Sequence, residues 1–318
     1  MDQTELGRRA FLKATAAGGF AAALGDFGGN IGRAAERAGE IPMRALGNTG
    51  LRVSVIGLGG FHMGLREKEE DSIALVHRAL DLGINFFDNA DSYMEGRAEE
   101  RMGKALVGRR QKIILMSKVE SRDAKGAREA LEASLRRLRT DYLDIWQFHA
   151  VTRRESLNQI LGPGGAMETA QRAKQEGKIR FIGITSHANP EVLLEAIKRY
   201  PFDVAQMPIN VVDPHFMSFR RTVVDEAVKR NVGVIAMKPL GRGNIVSLGV
   251  ATASEAFAWL WSQPVSVAVT GCEWLDALDY NVSLAKTLKP MPDGQQAALL
   301  ARTKPRAGRG IEIYKNWV

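Results

Sequence analysis

Cysteine is almost absent from this chain of 318 residues, which contains only Cys272. One cysteine cannot form an internal disulfide or supply a cysteine cluster for a metal. The histidines show no metal-ligand spacing with one another or with Cys272. We therefore expect no disulfide framework, no metal site and no iron–sulfur cluster.

Long apolar runs are also missing. The longest weakly apolar stretch, residues 14–25, is rich in alanine and glycine and shorter than the roughly 20 residues that cross a bilayer. The sequence therefore predicts no stable membrane span.

No basic stripe is interleaved with aromatic residues, although Lys plus Arg exceed Asp plus Glu by 44 − 36 = 8. The basic residues are mixed with acids, except in one run near the C-terminus formed by Arg302, Lys304, Arg306 and Arg309. Single-stranded nucleic acid needs a basic groove with stacking platforms. We expect no nucleic-acid partner, and a mildly basic surface equally suits small anions such as phosphates.

The N-terminus carries a possible export signal. The segment 7–13 reads Gly-Arg-Arg-Ala-Phe-Leu-Lys and precedes the Ala/Gly-rich run, a pattern that resembles a twin-arginine signal. The alternative is a surface amphipathic helix with two adjacent arginines. The signal predicts that residues 1–40 are an export segment and linker, read by the twin-arginine (Tat) export machinery, and that 41–318 form one domain. The protein is then periplasmic or exported, and cytoplasmic if the signal does not function.

Eight short apolar or β-branched runs alternate with amphipathic helical segments from residue 43 onward. Runs that are apolar at successive positions, such as 113–116, are typical of a parallel sheet buried on both faces. This alternation over about 250 residues predicts an α/β fold, the (β/α)8 TIM barrel. A doubly wound sheet is the alternative, but 57–60 lacks the G-x-G-x-x-G spacing that it needs. The predicted strands are Val53–Gly59, Asn85–Asn89, Lys112–Val119, Tyr142–His149, Ile179–Thr185, Val204–Ile209, Gly233–Pro239 and Val265–Thr270.

Three neighbouring predicted strands end in side chains able to carry chemistry. Catalytic groups of such barrels lie at the carboxyl ends of the strands. Lys118 ends an apolar strand, and a nearby carboxylate such as Asp88 would keep its buried ammonium charged. That charge would lower the pKa of the Tyr93 phenol, and His149 could donate a hydrogen bond to a substrate oxygen. The set predicts a carbonyl that accepts a proton on oxygen while a hydride reaches its carbon.

Each of these residues also has a purely structural interpretation. Asp88 could be a turn residue, Lys118 could extend to water, Tyr93 could be a packing aromatic and His149 a core histidine. Their joint occurrence at successive strand ends favours the site.

The sequence resembles the aldo-keto reductase superfamily from about residue 43 to 288. The matching features keep their order and spacing; they are Leu46-Gly47, Thr49-Gly50-Leu51, Phe87-Asp88-x-Ala90 with Tyr93, Ser117-Lys118, Asp144 leading to His149, Gly177–Arg180, Ile182-Gly183, Gln206 and Lys238–Gly241. The resemblance implies a barrel that binds a nicotinamide dinucleotide, NADP(H) or NAD(H), at its carboxyl mouth. It implies Tyr93 as general acid, Lys118 and Asp88 as residues that tune it, and His149 as the residue that orients the carbonyl.

The same resemblance assigns cofactor contacts. Thr185, Ser186 and Gln206 fall where the family holds the nicotinamide carboxamide, although the family typically has Ser-Asn at the first two positions. The other expected cofactor residues are Gly60, Met237, Lys238, Leu240, Gly241, Gly271 and Asn281. Phe61 and Met94, with His149, are expected to line the substrate pocket.

Two departures from the family bear on the cofactor. Met237 stands where many members place a tyrosine against the nicotinamide, and Lys238 replaces a common serine, so we expect Lys238 to contact the pyrophosphate. Residues 270–281 contain no Lys or Arg but three acids, Glu273, Asp276 and Asp279. Acids suit a free ribose hydroxyl better than a phosphate. The sequence therefore leaves NAD and NADP both open.

The function expected from the sequence is hydride transfer between a nicotinamide cofactor and an aldehyde, ketone, sugar or alcohol. Two alternatives stay open: a cofactor-binding sensor or accessory protein with little turnover, and a non-enzymatic sugar-binding barrel. If the protein is exported, we expect it to hold its cofactor tightly and to recycle it in place with a second substrate.

Overall fold

A computed structural model of the chain describes residues 39–287 and 289–316. The predicted export segment lies outside these residues, except for positions 39 and 40. A hairpin of β1 (Met43–Ala45) and β2 (Arg52–Ser54) precedes the strands β3 (Ile56–Gly59), β4 (Phe86–Asp88), β5 (Ile114–Val119), β6 (Leu143–Phe148), β7 (Ile179–Thr185), β8 (Val204–Pro208), β9 (Gly233–Met237) and β10 (Val267–Gly271).

Strands β3 to β10 form a closed parallel barrel in chain order, with β10 pairing β3. This confirms the predicted (β/α)8 barrel. The helices of the described part are α1 (Phe61–Leu65), α2 (Glu69–Asp81), α3 (Arg97–Ala105), α4 (Ala124–Leu138), α5 (Arg154–Leu161), α6 (Ala166–Gln175), α7 (Pro190–Arg199), α8 (Asp225–Lys229), α9 (Asn244–Ser247), α10 (Ala253–Trp261), α11 (Leu275–Thr287) and α12 (Asp293–Thr303). None of these is long and apolar enough to cross a membrane.

The first predicted strand, Val53–Gly59, is wrong in its extent. Its first part is β2, which pairs antiparallel with β1, and only Ile56–Gly59 enters the barrel. Asn85 stabilises the break, because its Oδ1 accepts a 2.8 Å hydrogen bond from Ser54 N and its Nδ2 donates to Arg52 O. An apolar run that is continuous in sequence does not reveal such a break.

The hairpin closes the amino end of the barrel. Leu46 and Val53 are fully buried and pack in one cluster with the side chains that fill the barrel interior, such as Phe86 and Met116. Gly47 beside Leu46 has a φ of +52°, and a Cβ there would lie 2.4 Å from Gly233 N. A glycine is therefore required where the hairpin meets β9.

The carboxyl end of the barrel is open to the loops that carry the predicted site. Two of the helices behind it begin with side-chain caps: the Asn189 side chain accepts from Val192 N ahead of Pro190, and Thr252 forms a capping box with Glu255. These caps fix where the loops end. The apolar faces of the helices then bury the outer surface of the sheet.

Candidate active site

The structure brings the four predicted catalytic side chains together at the carboxyl mouth. Lys118, on β5, is 1% exposed, and its Nζ contacts Asp88 Oδ1 at the end of β4. The same ammonium donates to Asn89 O at 2.7 Å and to the Tyr93 hydroxyl at 3.2 Å. Its three N–H groups therefore have three acceptors. The Tyr93 ring makes an edge contact with His149, with 5.8 Å between ring centres.

The charge of Lys118 depends on Asp88. Burial alone would lower the pKa of Lys118, but the attraction of Asp88 and the contact with Tyr93 outweigh it and hold that pKa above its usual value. Lys118 is therefore a buried cation at neutral pH.

The expectation of a lowered phenol pKa is wrong for Tyr93. Burial raises its pKa above 10, and the opposing effect of Lys118 is smaller. Asp88 adds to the rise, because its negative charge disfavours a phenolate. The sequence places the cation beside Tyr93 but does not show that the phenol is withdrawn from most of the solvent. Tyr93 is consequently a neutral hydrogen-bond donor near pH 7.

His149 is also buried, and charged neighbours shift its pKa in opposite directions. Burial lowers its pKa below 6.5, while Glu120 raises it and Lys118 lowers it further. Its backbone is fixed, because His149 N donates to Val119 O at 2.8 Å and its carbonyl accepts from Arg122 at 2.6 Å. The ring is therefore a rigid group that is largely neutral at pH 7.

The residues expected to hold the nicotinamide lie next to these four. Gln206, on β8, donates a 2.9 Å hydrogen bond from Nε2 to Asp88 Oδ2, and its own Oε1 is buried without a partner in the described structure. Thr185 Oγ1 accepts from Ala150 N at 2.8 Å, which ties down the loop that begins at His149. Ser186 N donates to Gln206 O at 3.2 Å. The three residues thus form one connected edge of the mouth.

On the other side of the mouth, two glycines allow neighbouring groups to pack directly against the backbone. A Cβ at Gly60 would lie 2.9 Å from Asp88 O, and Gly60 N donates to that oxygen at 2.7 Å. A Cβ at Gly271 would overlap the ring of His62 at 2.3 Å. Both positions exclude a side chain.

Lys238 is the feature that best fits an anionic ligand. It follows Met237 at the end of β9, has a φ of +57°, and forms no ion pair within residues 39–287 and 289–316. Burial, and next the charge of Arg242, lower its pKa to about 8. Gly241 N donates to Lys238 O, with Leu240 inside this turn. A largely buried cation without a carboxylate partner is costly, and a pyrophosphate would supply the missing charge.

Two arginines lie beside the acidic loop that follows β10. Arg66 donates to Glu273 O, and Arg78 pairs with Asp279 at 2.8 Å, so two arginines from the first barrel loop and α2 reach this segment. Asn281 is buried, donates to Cys272 Sγ at 3.6 Å, and leaves its Oδ1 unpartnered in the described structure. Burial raises the pKa of Cys272 to about 11, which makes it a packing residue.

The residues expected at the substrate pocket adjoin Tyr93. The Phe61 ring lies at 5.3 Å from the Tyr93 ring in an edge contact. Met94 has a φ of +50° and packs on Gly64, where a Cβ would lie 2.5 Å from its Cγ. Phe61 thus lies against the Tyr93 ring, and Met94, the next residue after Tyr93, packs on Gly64.

The sequence did not predict every residue that contributes to the mouth of the barrel. Glu120 lies 3.4 Å from His149 Nδ1, and its signal in the sequence is that it directly follows the strand that carries Lys118. A second group had no signal: Lys315 is fully buried and pairs with Asp213 and Glu312, each at 2.9 Å. Asn210 links this group to the site, because it donates to Lys238 O at 3.3 Å.

Metal ligation finds no support in the part of the chain that the structure describes. No group of three or more His, Cys, Asp or Glu residues there could hold a metal ion. The chemistry of the mouth is that of a phenol, an ammonium and an imidazole.

Known proteins resemble this chain in sequence and structure. A profile of the aldo/keto reductase family matches residues 55–254. The chain is 30% identical over 225 residues to the uncharacterized oxidoreductase YqkF of Bacillus subtilis (strain 168), covering 67% of this chain and 69% of that protein. It is 34% identical over 225 residues to L-galactose dehydrogenase of Arabidopsis thaliana, covering 66% and 69%. The structure resembles aldo-keto reductase AKR11C1 of Bacillus halodurans in its holo form, with a TM-score of 0.74, 26% identity, and 86% of this chain and 100% of that one covered.

Proposed function

The chain belongs to the aldo/keto reductase family, and we propose that it transfers a hydride between a nicotinamide dinucleotide and a carbonyl or alcohol substrate. Family membership and relatives named as oxidoreductases support an NAD(P)-dependent oxidoreductase. The observation that carries the proposal is the position of Lys118 Nζ, between Asp88 and the Tyr93 hydroxyl and beside His149.

The proposed roles follow from protonation. Tyr93 is neutral near pH 7, so its hydroxyl can donate a proton to a carbonyl oxygen as the general acid. Lys118 donates to the Tyr93 oxygen and stabilises the negative charge that this oxygen acquires. Asp88 keeps Lys118 charged. His149 orients the substrate oxygen, and Phe61 and Met94 form the apolar wall of the pocket.

The cofactor fits the neighbouring residues. A bound nicotinamide dinucleotide supplies or accepts the hydride. Gln206 fits its carboxamide, because the free Oε1 can accept an amide N–H while Nε2 stays on Asp88. Lys238 fits the pyrophosphate, whereas the space beside Gly271 at the end of β10 is filled by the His62 ring.

The choice between NAD(H) and NADP(H) depends on the loop after β10. Its acids favour a free ribose hydroxyl, whereas Arg66 reaches the same loop from the segment after α1 and could pair with a 2′-phosphate. Titration of the full chain with each cofactor decides between them. If Arg66→Ala weakens NADPH binding more than NADH binding, Arg66 reads the phosphate.

Lys238 can be tested by itself. We expect Lys238→Ala to weaken cofactor binding by at least about tenfold, the effect of losing one charge-assisted contact. Lys125→Ala, on the exposed start of α4, is the control. Unchanged affinity in Lys238→Ala would remove Lys238 from the cofactor site.

The substrate class is tested by single turnover. The purified full chain is loaded with reduced cofactor and mixed with aldehydes, ketones and sugars, and cofactor oxidation is followed by absorbance. Sugars belong on this panel because one relative is named L-galactose dehydrogenase. Oxidation by at least one carbonyl supports an enzyme. Tight cofactor binding without oxidation by any of them would instead favour the sensor or accessory protein.

Export adds a further proposal. The twin-arginine pattern at residues 8–9 supports a protein that carries its cofactor out of the cytoplasm and recycles it with a second substrate. We expect dinucleotide to co-purify with the full chain and to survive dialysis. Rapid loss on dialysis would contradict in-place recycling, and a cytoplasmic location in fractionated cells would contradict export.

A further inference from the structure

Glu120 and His149 are neighbours because of the barrel register. Val119 of β5 pairs with Phe148 of β6, and these are the last paired residues of the two strands. The next residue of each chain segment is therefore brought to the same edge. Glu120 Oε1 and His149 Nδ1 lie 3.4 Å apart, with the imidazole buried and the carboxylate side chain 59% exposed.

Polar and charged groups other than His149 also lie near Glu120. Ser92 donates to its carboxylate, Arg122 attracts it, and Asp91 is the acid nearby. The contact with His149, opposed by partial burial and helped by Ser92, lowers the pKa of Glu120 to about 2. Glu120 is therefore a carboxylate at every pH at which the protein would work. An ionised carboxylate accepts hydrogen bonds and donates none.

His149 Nδ1 is buried and makes no hydrogen bond within the described residues, so the Glu120 carboxylate 3.4 Å away acts on it through its charge. The other groups that face His149 are Lys118 on β5, Asp88 on β4, the Tyr93 ring and, at 5.8 Å, the His187 ring. A neutral imidazole carries one proton, on one nitrogen only, and the partner of that nitrogen decides which one. A carboxylate beside Nδ1 stabilises the proton there, and Nε2 then carries a lone pair.

We infer that Glu120 is a positioning residue that holds the proton of neutral His149 on Nδ1, so that Nε2 meets the substrate as a hydrogen-bond acceptor. This rests on the proposed function, in which His149 orients the substrate oxygen. The neutral ring then binds a hydroxyl, which is the alcohol form of the substrate. Only the doubly protonated ring, with Nδ1–H facing Glu120 and Nε2–H facing the substrate, donates to a carbonyl oxygen.

As a consequence, carbonyl reduction and alcohol binding are favoured on opposite sides of the pKa of His149. Carbonyl reduction needs the imidazolium, so its kcat/KM falls as pH rises through the pKa of His149, which burial places below 6.5. Binding of the alcohol needs the neutral ring and is strongest above that pKa. Glu120 stabilises the imidazolium, so its removal lowers the pKa at which this exchange occurs.

The first test is the tautomer itself and needs no turnover. Full-length protein labelled with ¹⁵N-histidine distinguishes Nδ1–H from Nε2–H by NMR, and loss of the signal in His149→Asn assigns it. We expect Nδ1–H in the natural chain and loss of that preference in Glu120→Ala. The control is Glu129→Ala, which removes an exposed acid of α4. A tautomer that is Nε2–H in the natural chain, or unchanged in Glu120→Ala, would overturn the inference.

The second test is the pH profile of Glu120→Gln with a carbonyl that the enzyme reduces. We expect the falling limb of kcat/KM to move to lower pH by about 0.5 unit, as suits a half-exposed carboxylate. Glu129→Gln should leave the limb in place. A limb unmoved in Glu120→Gln would contradict the inference. If no carbonyl is reduced at all, the proposed function fails, and the tautomer measurement alone decides the role of Glu120.

Discussion

Gln206 Nε2 donates a 2.9 Å hydrogen bond to Asp88 Oδ2 across the mouth of the barrel, while Lys118 contacts the other oxygen of the same carboxylate. The sequence assigned these residues to separate tasks, Gln206 to the cofactor and Asp88 to the catalytic group. The hydrogen bond couples cofactor binding to the catalytic group, because movement of Gln206 would also move Asp88, the partner of Lys118.

Gln206→Leu should therefore affect both tasks. It leaves one buried carboxylate oxygen of Asp88 without a donor, which costs about 1–3 kcal/mol of unfolding free energy. It also removes the amide oxygen proposed for the nicotinamide, so cofactor affinity should fall together with stability. Urea unfolding and cofactor titration measure the two effects, and Gln171→Leu on the exposed face of α6 is the control. Weaker cofactor binding without loss of stability would show that the bond to Asp88 contributes little.

Lys118→Met should unfold far more easily than the natural chain. Asp88 is 3% exposed, and removing its cation leaves a buried charge, which costs about 3–5 kcal/mol. Urea unfolding of the full chain measures this loss.

The double variant Asp88→Asn with Lys118→Met separates stability from chemistry. With neither charge present, most of the lost unfolding free energy should return. Turnover should not return, because the Tyr93 oxygen has lost the ammonium that stabilises it. Recovery of turnover along with stability would show that the pair is only structural.

Asp91 should make stability depend on pH. Burial, and next the charges of Glu99 and Glu120, raise the pKa of Asp91 to about 6. An acid whose pKa is raised on folding stabilises the fold below its unfolded pKa of about 3.9, and this contribution is lost as pH rises through 6. Asp91→Asn removes the effect. Relative to the natural chain it should gain about 2–3 kcal/mol of unfolding free energy between pH 4 and pH 7.5.

Exposed Asp141 provides the matched control for this measurement. Asp141→Asn should keep the pH dependence of the natural chain. Parallel stability curves for Asp91→Asn and the natural chain would mean that Asp91 does not titrate near pH 6.

The barrel was predictable because its strands are short apolar runs whose ends fall at one edge of a parallel sheet. That geometry also predicts which strand-end residues meet, and Asp88, Lys118 and His149 do so. The separation of β2 (Arg52–Ser54) from the barrel was not predictable, since the break after it depends on the side chain of Asn85, 31 residues further along the chain.

Two properties of the site depended on burial, which the sequence does not reveal. The cation beside Tyr93 was predicted, but burial of the phenol reverses the expected direction of its pKa shift. Lys315 pairs with Glu312 three residues away and with Asp213, 102 residues earlier in the chain, and isolated charged residues near a C-terminus usually indicate a solvated surface. Only the folded chain shows that this lysine is fully buried.

The most direct measurement is single-turnover oxidation of bound reduced cofactor by a reducible carbonyl, comparing Tyr93→Phe with the natural chain. Phenylalanine keeps the ring contacts with Phe61 and His149 but removes the proton donor. Tyr142→Phe, whose hydroxyl is exposed and bonded to Gln111, is the control. With equal cofactor affinity and folding, Tyr93→Phe should be slower by about 10²-fold or more. A rate equal to that of the natural chain would contradict the assignment of Tyr93 as the general acid.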